Sequence, residues 1–423
     1  MLTMYAIKRE LKLNNKEKSF CAGCAGFSRF VYNHGLSLLK STWDIPEISG
    51  SDSKRLDAIK KVFTNITKKQ TEYLWTNKYS SRIYQNAFRD LKKAFSRWRD
   101  PKVKADLPRF KKKKHHCSFT VDSSNGKVLV KEGKRIKIPT LGTFRLKEAI
   151  PYNCVSQTFT ISREAGKWYV SFAVSASYIP EMKHSHQKVG IDLGIKTFAT
   201  LSDGNILEAP SSIKKAKTKL GKIQWRNRNK VLGNRRSGID PSKNAVKYYQ
   251  KLRKKHKRIT NIREDFLQKT TTLLAKTYQH ILVEDLNVKG MMANHKLSDA
   301  LSNLGLYRFR ELLSYKQECF GFLLTIVDRW FPSSKTCSVC GNIQDMPLCE
   351  RVYHCQNCGQ VMDRDLNASI NLENWTHPLT PSQEGNNADG LSVNPLAQSK
   401  GERLWTRRSR LPWLKQELNI KPV

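Results

Sequence analysis

Across 423 residues, 76 lysines and arginines stand against 36 aspartates and glutamates, a formal charge of +40 that would destabilise a compact chain by self-repulsion unless a polyanion neutralises it. Nucleic acid is therefore the leading partner; a basic surface tuned only for solubility fits poorly, and a membrane surface fits worse, because the basic runs lack a matching face of large apolar residues. The length excludes one ordinary core and implies two to four domains, and no stretch reaches the roughly 18 apolar residues of a membrane span.

The opening MLTMYAIKREL alternates as a strand does and carries charge early, unlike a signal peptide, so a cytoplasmic protein is expected. Next, KSFCAGCAGFSRFVYNHGLSLLKSTW has helical apolar spacing at Phe27, Phe30, Val31, Leu36 and Leu39. SRIYQNAFRDLKKAFSRW continues the pattern, with Ile83, Ala87, Leu91 and Phe95 at every fourth position. Residues 15–100 thus read as a basic helical module. Cys21-x2-Cys24 has metal-like spacing, but without a second pair nearby two helix-core cysteines are the simpler account.

From LPRFKKKKHHCSFTV the pattern turns to short β-like runs, separated by Asn125-Gly126, Glu132-Gly133 and Ala165-Gly166, as in a small antiparallel barrel or sandwich. The first strand can join it, with the helices as an insertion. After HSHQK a third composition begins: strand-like VGIDLG and FATLSDG, a basic helical stretch from about 211 to 278, strand-like HILVEDL, helix-like GLYRFRELLSYKQECFGF, strand-like LLTIVDRW, a cysteine segment and DLNASINL. Such alternation suggests an α/β domain. The tail from 376, rich in Pro, Ser, Asn and Gly, reads as flexible with a basic end. His115, His116, His184 and His186 read as surface histidines.

Four segments carry chemistry. In KVGIDLGIKTF, Val189, Ile191 and Leu193 share one face of a strand, which leaves Gly190 and Asp192 on the other. Asp192 is either a cleft-lining carboxylate with room for a cation or an ordinary strand-end acid. HILVEDLNVKG ends an apolar run in Glu284 and Asp285, of which one faces the cleft, since adjacent strand residues point oppositely. Cys337-x2-Cys340 and, after fourteen residues, Cys355-x2-Cys358 have the spacing of a four-thiolate structural zinc site, a zinc ribbon, with Cys349 as a loop thiol between them. Asp365 then opens DLNASINL, where it either caps a helix or supplies a third carboxylate.

The runs FKKKKHH, IKKAKTKLGKIQWRNRNK and YYQKLRKKHKR interleave basic residues with Trp225, Tyr248 and Tyr249. Each alone could be a solvated face. Together they suit a polyanion, since basic side chains neutralise phosphates while rings stack on unpaired bases.

Taken together, GIDLGIKTFATLSDG, VEDLNVKGM, DRWFPSSKTCSVCG, YHCQNCG and DRDLNASINL resemble the TnpB family, insertion-sequence proteins related to compact type V CRISPR effectors. The resemblance covers residues 188–372 and extends less sharply upstream to FSRFVYNHGL and LPRFKKKKHHCSFT. It implies a multidomain α+β protein: a wedge-like β-barrel (1–14 and 101–185) interrupted by a helical recognition module (15–100), an RNase H-like RuvC nuclease domain (186–336 and 359–375), an inserted zinc ribbon (337–358) and a basic tail (376–423). It matches the catalytic, Mg²⁺-binding acids to Asp192, Glu284 and Asp365, and the zinc ligands to Cys337, Cys340, Cys355 and Cys358. Two Mg²⁺ ions about 3.5 to 4 Å apart would then serve phosphodiester hydrolysis, with Asp192 bridging and the other two acids flanking.

The resemblance further implies a guide RNA from the transposon end, which pairs with one strand of a double-stranded DNA target and displaces the other, while the protein reads a short adjacent motif. A monomer is favoured and no membrane partner is expected. The expected activity is RNA-guided DNA endonuclease. A DNA strand-transferase uses similar acids, and a non-catalytic nucleic-acid-binding regulator would use the zinc and basic helices alone.

Overall fold

A computed structural model describes residues 4–43, 50–113, 117–175, 184–233, 238–347 and 349–376. His115, His116 and the tail from 377 lie outside the described residues. Two compact units divide the chain, one within 1–177 and one within 178–411.

In the first unit, β1 (Met4–Leu11) leads into α1 (Asn15–Ser41), α2 (Asp52–Asn65) and α3 (Ser81–Arg99). Then follow β2 (Ser118–Asp122), β3 (Val128–Val130), β4 (Gly133–Ile138), β5 (Gly142–Ile150), β6 (Cys154–Ser156), β7 (Thr158–Glu164) and β8 (Lys167–Ser175). An antiparallel sheet runs in the order β2-β7-β8-β1-β5-β4, with β3 and β6 as a separate ribbon. The first strand does join the later ones: β1 pairs along its length with β8, from Met4 opposite Ser175 to Leu11 opposite Trp168. Its edges, β2 and β4, have no pairing with each other.

α1 starts at a reciprocal cap in which the Glu17 amide donates to Asn14 Oδ1 (2.8 Å) and the Asn14 amide to Glu17 Oε2 (2.7 Å). Phe27, Val31, Leu36 and Leu39 on α1 and Ile83, Ala87, Leu91 and Phe95 on α3 are all buried in one core with β-strand residues such as Phe119, Phe159 and Phe172. Cys21 and Cys24 lie in that core as well, where burial pushes both thiols up to about 12. They are inert packing residues.

The second unit contains β9 (His186–Leu193), β10 (Ala199–Leu201), β11 (Ile206–Leu207), α4 (Ser211–Arg226), α5 (Lys243–Thr277), β12 (Tyr278–Glu284), α6 (Val288–Ala293), α7 (His295–Leu304), α8 (Leu306–Phe320) and β13 (Leu323–Val327). β14 (Val352–His354), β15 (Val361–Asp363) and α9 (Arg364–Glu373) complete it. Five strands form one sheet in the order β11-β10-β9-β12-β13. β12 lies parallel to both β9 and β13, whereas β10 is antiparallel to β9. Helices α5 and α8 are joined by a buried lysine: Lys316 Nζ donates to Gln268 O (2.7 Å), Thr271 Oγ1 (2.7 Å) and Thr272 Oγ1 (2.6 Å). Burial lowers that amine to about 7, and its three acceptors compensate the desolvation.

Candidate active site and metal centre

β9 and β12 run side by side, and their register sets the site. Leu282 lies opposite Gly190 and Val283 opposite Ile191, so one more step brings Glu284 beside Asp192. By the two-residue period of a strand, both acids then share the face that carries Gly190 and Leu282. Leu282 packs there against Leu372 of α9. The Leu193 amide donates to Glu284 Oε1 at 3.4 Å, a link between the two strand ends.

Burial, followed by the charges of Glu284 and Asp365, pushes the Asp192 carboxyl well above its ordinary value, while Arg364 pulls the other way. Glu284 rises to about 7, again first through burial; the Leu193 amide opposes the rise and the Asp365 charge adds to it. Asp192 and Glu284 therefore both feel the Asp365 charge across a partly desolvated space. Asp285 does not belong to it. Although burial acts to raise its carboxyl, bonds from Arg329 and Arg310 hold it below the ordinary value. Of the two neighbours, Glu284 is thus the one that shares a face with Asp192, and Asp285 the one paired with arginines.

Asp365 arrives on α9, and Gly190 lets that helix come close. A Cβ at residue 190 would sit 2.0 Å from Ser369 O and 2.4 Å from the Glu373 amide nitrogen, both backbone atoms. The cap of α9 is Asp363, whose Oδ1 accepts the amides of Asp365 (2.9 Å) and Leu366 (3.1 Å). The plainest task expected of Asp365 is therefore performed two residues earlier. Its own carboxylate remains in the first turn, where Arg351 Nη1 lies 3.7 Å from Oδ1.

The paired cysteines form two matching knuckles. In each, the first cysteine amide donates to a carbonyl five residues on, Asn342 or Gln360, at 2.8 Å, and a glycine at positive φ, Gly341 or Gly359, donates back at 3.0 Å. The four sulfurs lie within 4.8 Å of one another, with Cys337 to Cys358 at 3.7 Å and Cys340 to Cys355 at 3.6 Å. A tetrahedral zinc with bonds of about 2.3 Å has sulfur–sulfur edges of about 3.8 Å, so the thiolates fit the ion. Among the described residues this is the one group of three or more His, Cys, Asp or Glu drawn so tightly together; the three acids stand further apart. Cys349 is exposed and outside the cluster.

Two buried asparagines of α9 clamp the first knuckle. Ser338 N donates to Asn367 Oδ1 (2.9 Å), Asn367 Nδ2 to Thr336 O (2.7 Å), and Asn371 Nδ2 to Ser333 O (2.8 Å) and Thr336 O (2.6 Å). The second is tied through β14 and β15, where Val352 pairs with Asp363, the cap residue itself. The helix that brings Asp365 to the sheet is thus held by both halves of the cysteine segment.

A family model described as "Probable transposase" matches residues 159–295, one described as "Cas12f1-like, TNB domain" matches 307–372, and one described as "Helix-turn-helix domain" matches 1–44. The chain is 32% identical over 366 residues to a Streptomyces pristinaespiralis protein named, by inference, an RNA-guided DNA endonuclease, with 84% of each chain covered. The chain belongs to the TnpB family. InsQ of Escherichia coli K12, of the same inferred name, is 28% identical over 389 residues, covering 88% of this chain and 92% of that one. TnpB-like protein L79 of Acanthamoeba polyphaga mimivirus is 28% identical over 270 residues, 59% of this chain and 50% of that protein. Despite the description of the N-terminal match, the described residues of 1–44 in this TnpB-family chain hold a strand and one 27-residue helix.

The aromatic residues predicted for nucleic-acid contact flank the α4–α5 connection. Trp225 is 67% exposed, with the Arg228 guanidinium 4.8 Å above its ring; Tyr248 and Tyr249 lie edge to face at 4.9 Å, with Lys230 near the former. Sequence reasoning missed the clamp of Asn367 and Asn371, Arg351 beside Asp365, and the arginine pair on Asp285. The asparagines had a signal, since a four-residue spacing puts both on one helix face. The arginines had none, because their partners are distant in sequence.

Proposed function

We propose that this TnpB-family protein is an RNA-guided, Mg²⁺-dependent DNA endonuclease that cuts beside a short adjacent motif, with Asp192, Glu284 and Asp365 as its metal-binding acids. The observation that carries the reading is the convergence of these carboxylates from β9, β12 and α9, two of them raised by burial and mutual repulsion. Hard oxygen donors with surplus negative charge suit divalent magnesium. The activity in the names of the Streptomyces and Escherichia relatives agrees with this. Acids at the ends of adjacent parallel strands also suit an RNase H-like domain of the RuvC type over 186–336 and 359–375.

Each protein group has its own task. Asp192, Glu284 and Asp365 would together hold the magnesium; the Leu193 amide orients Glu284, and Arg351 restrains Asp365. Two Mg²⁺ ions held there would activate water, orient the phosphodiester and stabilise the leaving oxygen. Zinc bound by Cys337, Cys340, Cys355 and Cys358 is structural, because four thiolates leave no open position. The +40 charge supports simultaneous binding of guide RNA and target DNA.

The test uses protein copurified with RNA from its own locus. That RNA is sequenced, its variable end reprogrammed, and a plasmid library with randomised target flanks challenged in Mg²⁺, with Asp192→Ala as control. Guide-dependent cutting beside one enriched flank, lost in the variant, is expected; RNA binding with no cutting at any flank would overturn the reading. The description "Probable transposase" favours one alternative, strand transfer. It predicts joining of a 3′-hydroxyl DNA end to the target, where the endonuclease only cuts.

A further inference from the structure

Trp330 is 83% exposed, more than any other large hydrophobic residue described, on a turn that is otherwise tightly built. Its amide donates to Asp328 Oδ1 (2.8 Å), Phe331 N to Asp328 O (3.1 Å) and Ser333 N to Phe331 O (2.8 Å). Phe331 packs inward against Leu282, Val327 and Leu372 beneath α9. The turn thus packs one ring inward, partly buried, and holds its neighbour in solvent, where an indole forgoes a large apolar burial.

Its position ties it to the acids. Val327, the last residue of β13, pairs with Glu284. Three residues of chain and one strand spacing put the Trp330 backbone within about 16 Å of Glu284. Next to Trp330 in the chain, Arg329 is fixed together with Arg310 on Asp285, the residue that follows Glu284. A rigid exposed ring beside two fixed guanidiniums is a combination that holds an unpaired nucleotide, by stacking on the base and hydrogen bonding to the phosphate.

We propose that Trp330 is a stacking platform for an unpaired base of the DNA strand presented to Asp192, Glu284 and Asp365, with Arg329 and Arg310 drawing in its backbone. The proposal deepens the endonuclease reading and rests on it for the identity of the strand.

The experiment has two readouts. Guide-RNA-loaded Asp192→Ala protein is mixed with single-stranded DNA carrying 5-iododeoxyuridine, irradiated, and the crosslinked residue identified by mass spectrometry. Trp330 is expected to crosslink; crosslinks at Trp225 or Tyr248 without Trp330 would overturn the proposal. In the active protein, Trp330→Leu is expected to slow guided cleavage roughly 5- to 150-fold, the range that loss of one stacked base implies. Trp330→Phe should recover most of the rate, and unchanged melting should show that both variants fold. Cleavage by the leucine variant at the wild-type rate, or equal losses in both variants, would refute stacking. If wild-type protein cuts nothing yet the Trp330 crosslink persists, the nuclease reading fails and the base platform stands.

Discussion

Glu284 and Asp285 are neighbours in the chain whose carboxyls move in opposite directions, the first up to about 7 and the second below its ordinary value. Folded Glu284 keeps its proton up to about 7 and the unfolded residue only up to 4.5. Between those values the folded state binds more protons, so stability falls as pH rises. Without Mg²⁺, the melting temperature is expected to drop between pH 5 and 7.5, and added Mg²⁺ should raise it more at pH 7.5. Glu284→Gln should flatten that slope; an unchanged slope in the variant would assign the effect elsewhere. Cleavage should separate the pair too: Glu284→Gln loses more than roughly a hundredfold, as for the loss of a metal ligand, whereas Asp285→Asn keeps the metal site. Period-two alternation could say that one of these two acids faced the cleft. It could not say which, because the deciding arginines stand 25 and 44 residues away.

At the scale of elements, the contact between α9 and β9 is decided by one missing methyl group. Gly190→Ala would drive a Cβ into the backbone at Ser369 and Glu373, and overpacking of this kind costs about 1–3 kcal/mol. A lower melting temperature together with loss of cleavage is expected, since the displaced helix carries Asp365; wild-type cleavage in this variant would mean that the helix is not needed there. The cysteine segment supports the same helix. Stripping zinc with a chelator is expected to abolish cutting, and Asn367→Ala should lower the rate while zinc content, read by a colorimetric thiol-release assay, stays the same. The strand and the cysteine knuckles were readable from period and spacing, whereas each of the three acids had a plainer alternative and was singled out only by the family resemblance. The role of Gly190 was not readable, for a glycine in a strand reports small size but not which backbone approaches it. The N-terminal region was legible as helices inserted among strands, because apolar spacing at four-residue intervals is local, whereas the order β2-β7-β8-β1-β5-β4 depends on pairings up to 171 residues apart.

For the whole molecule, +40 spread over 423 residues makes affinity a function of ionic strength. If the protein neutralises six to ten phosphates of its nucleic acid, binding should weaken about 10³- to 10⁵-fold between 50 and 200 mM salt. A filter-binding series should show that steep decline, and a flat response would refute the electrostatic account. Trp225→Ala should lower affinity for unpaired nucleic acid while leaving the salt slope unchanged, since a ring contributes stacking and no counterion release. The order of the acids along the chain has a temporal consequence. Asp192 and Glu284 leave the ribosome early, but Asp365 follows both cysteine pairs and is seated by a helix that ends at Glu373. A nascent chain can therefore complete its sheet and expose its basic helices while lacking the third acid. On the assignment proposed for Asp365 and the four cysteines, cutting competence would wait on the last-made cysteine pair, and metal loading would stand as a checkpoint between synthesis and the first DNA break.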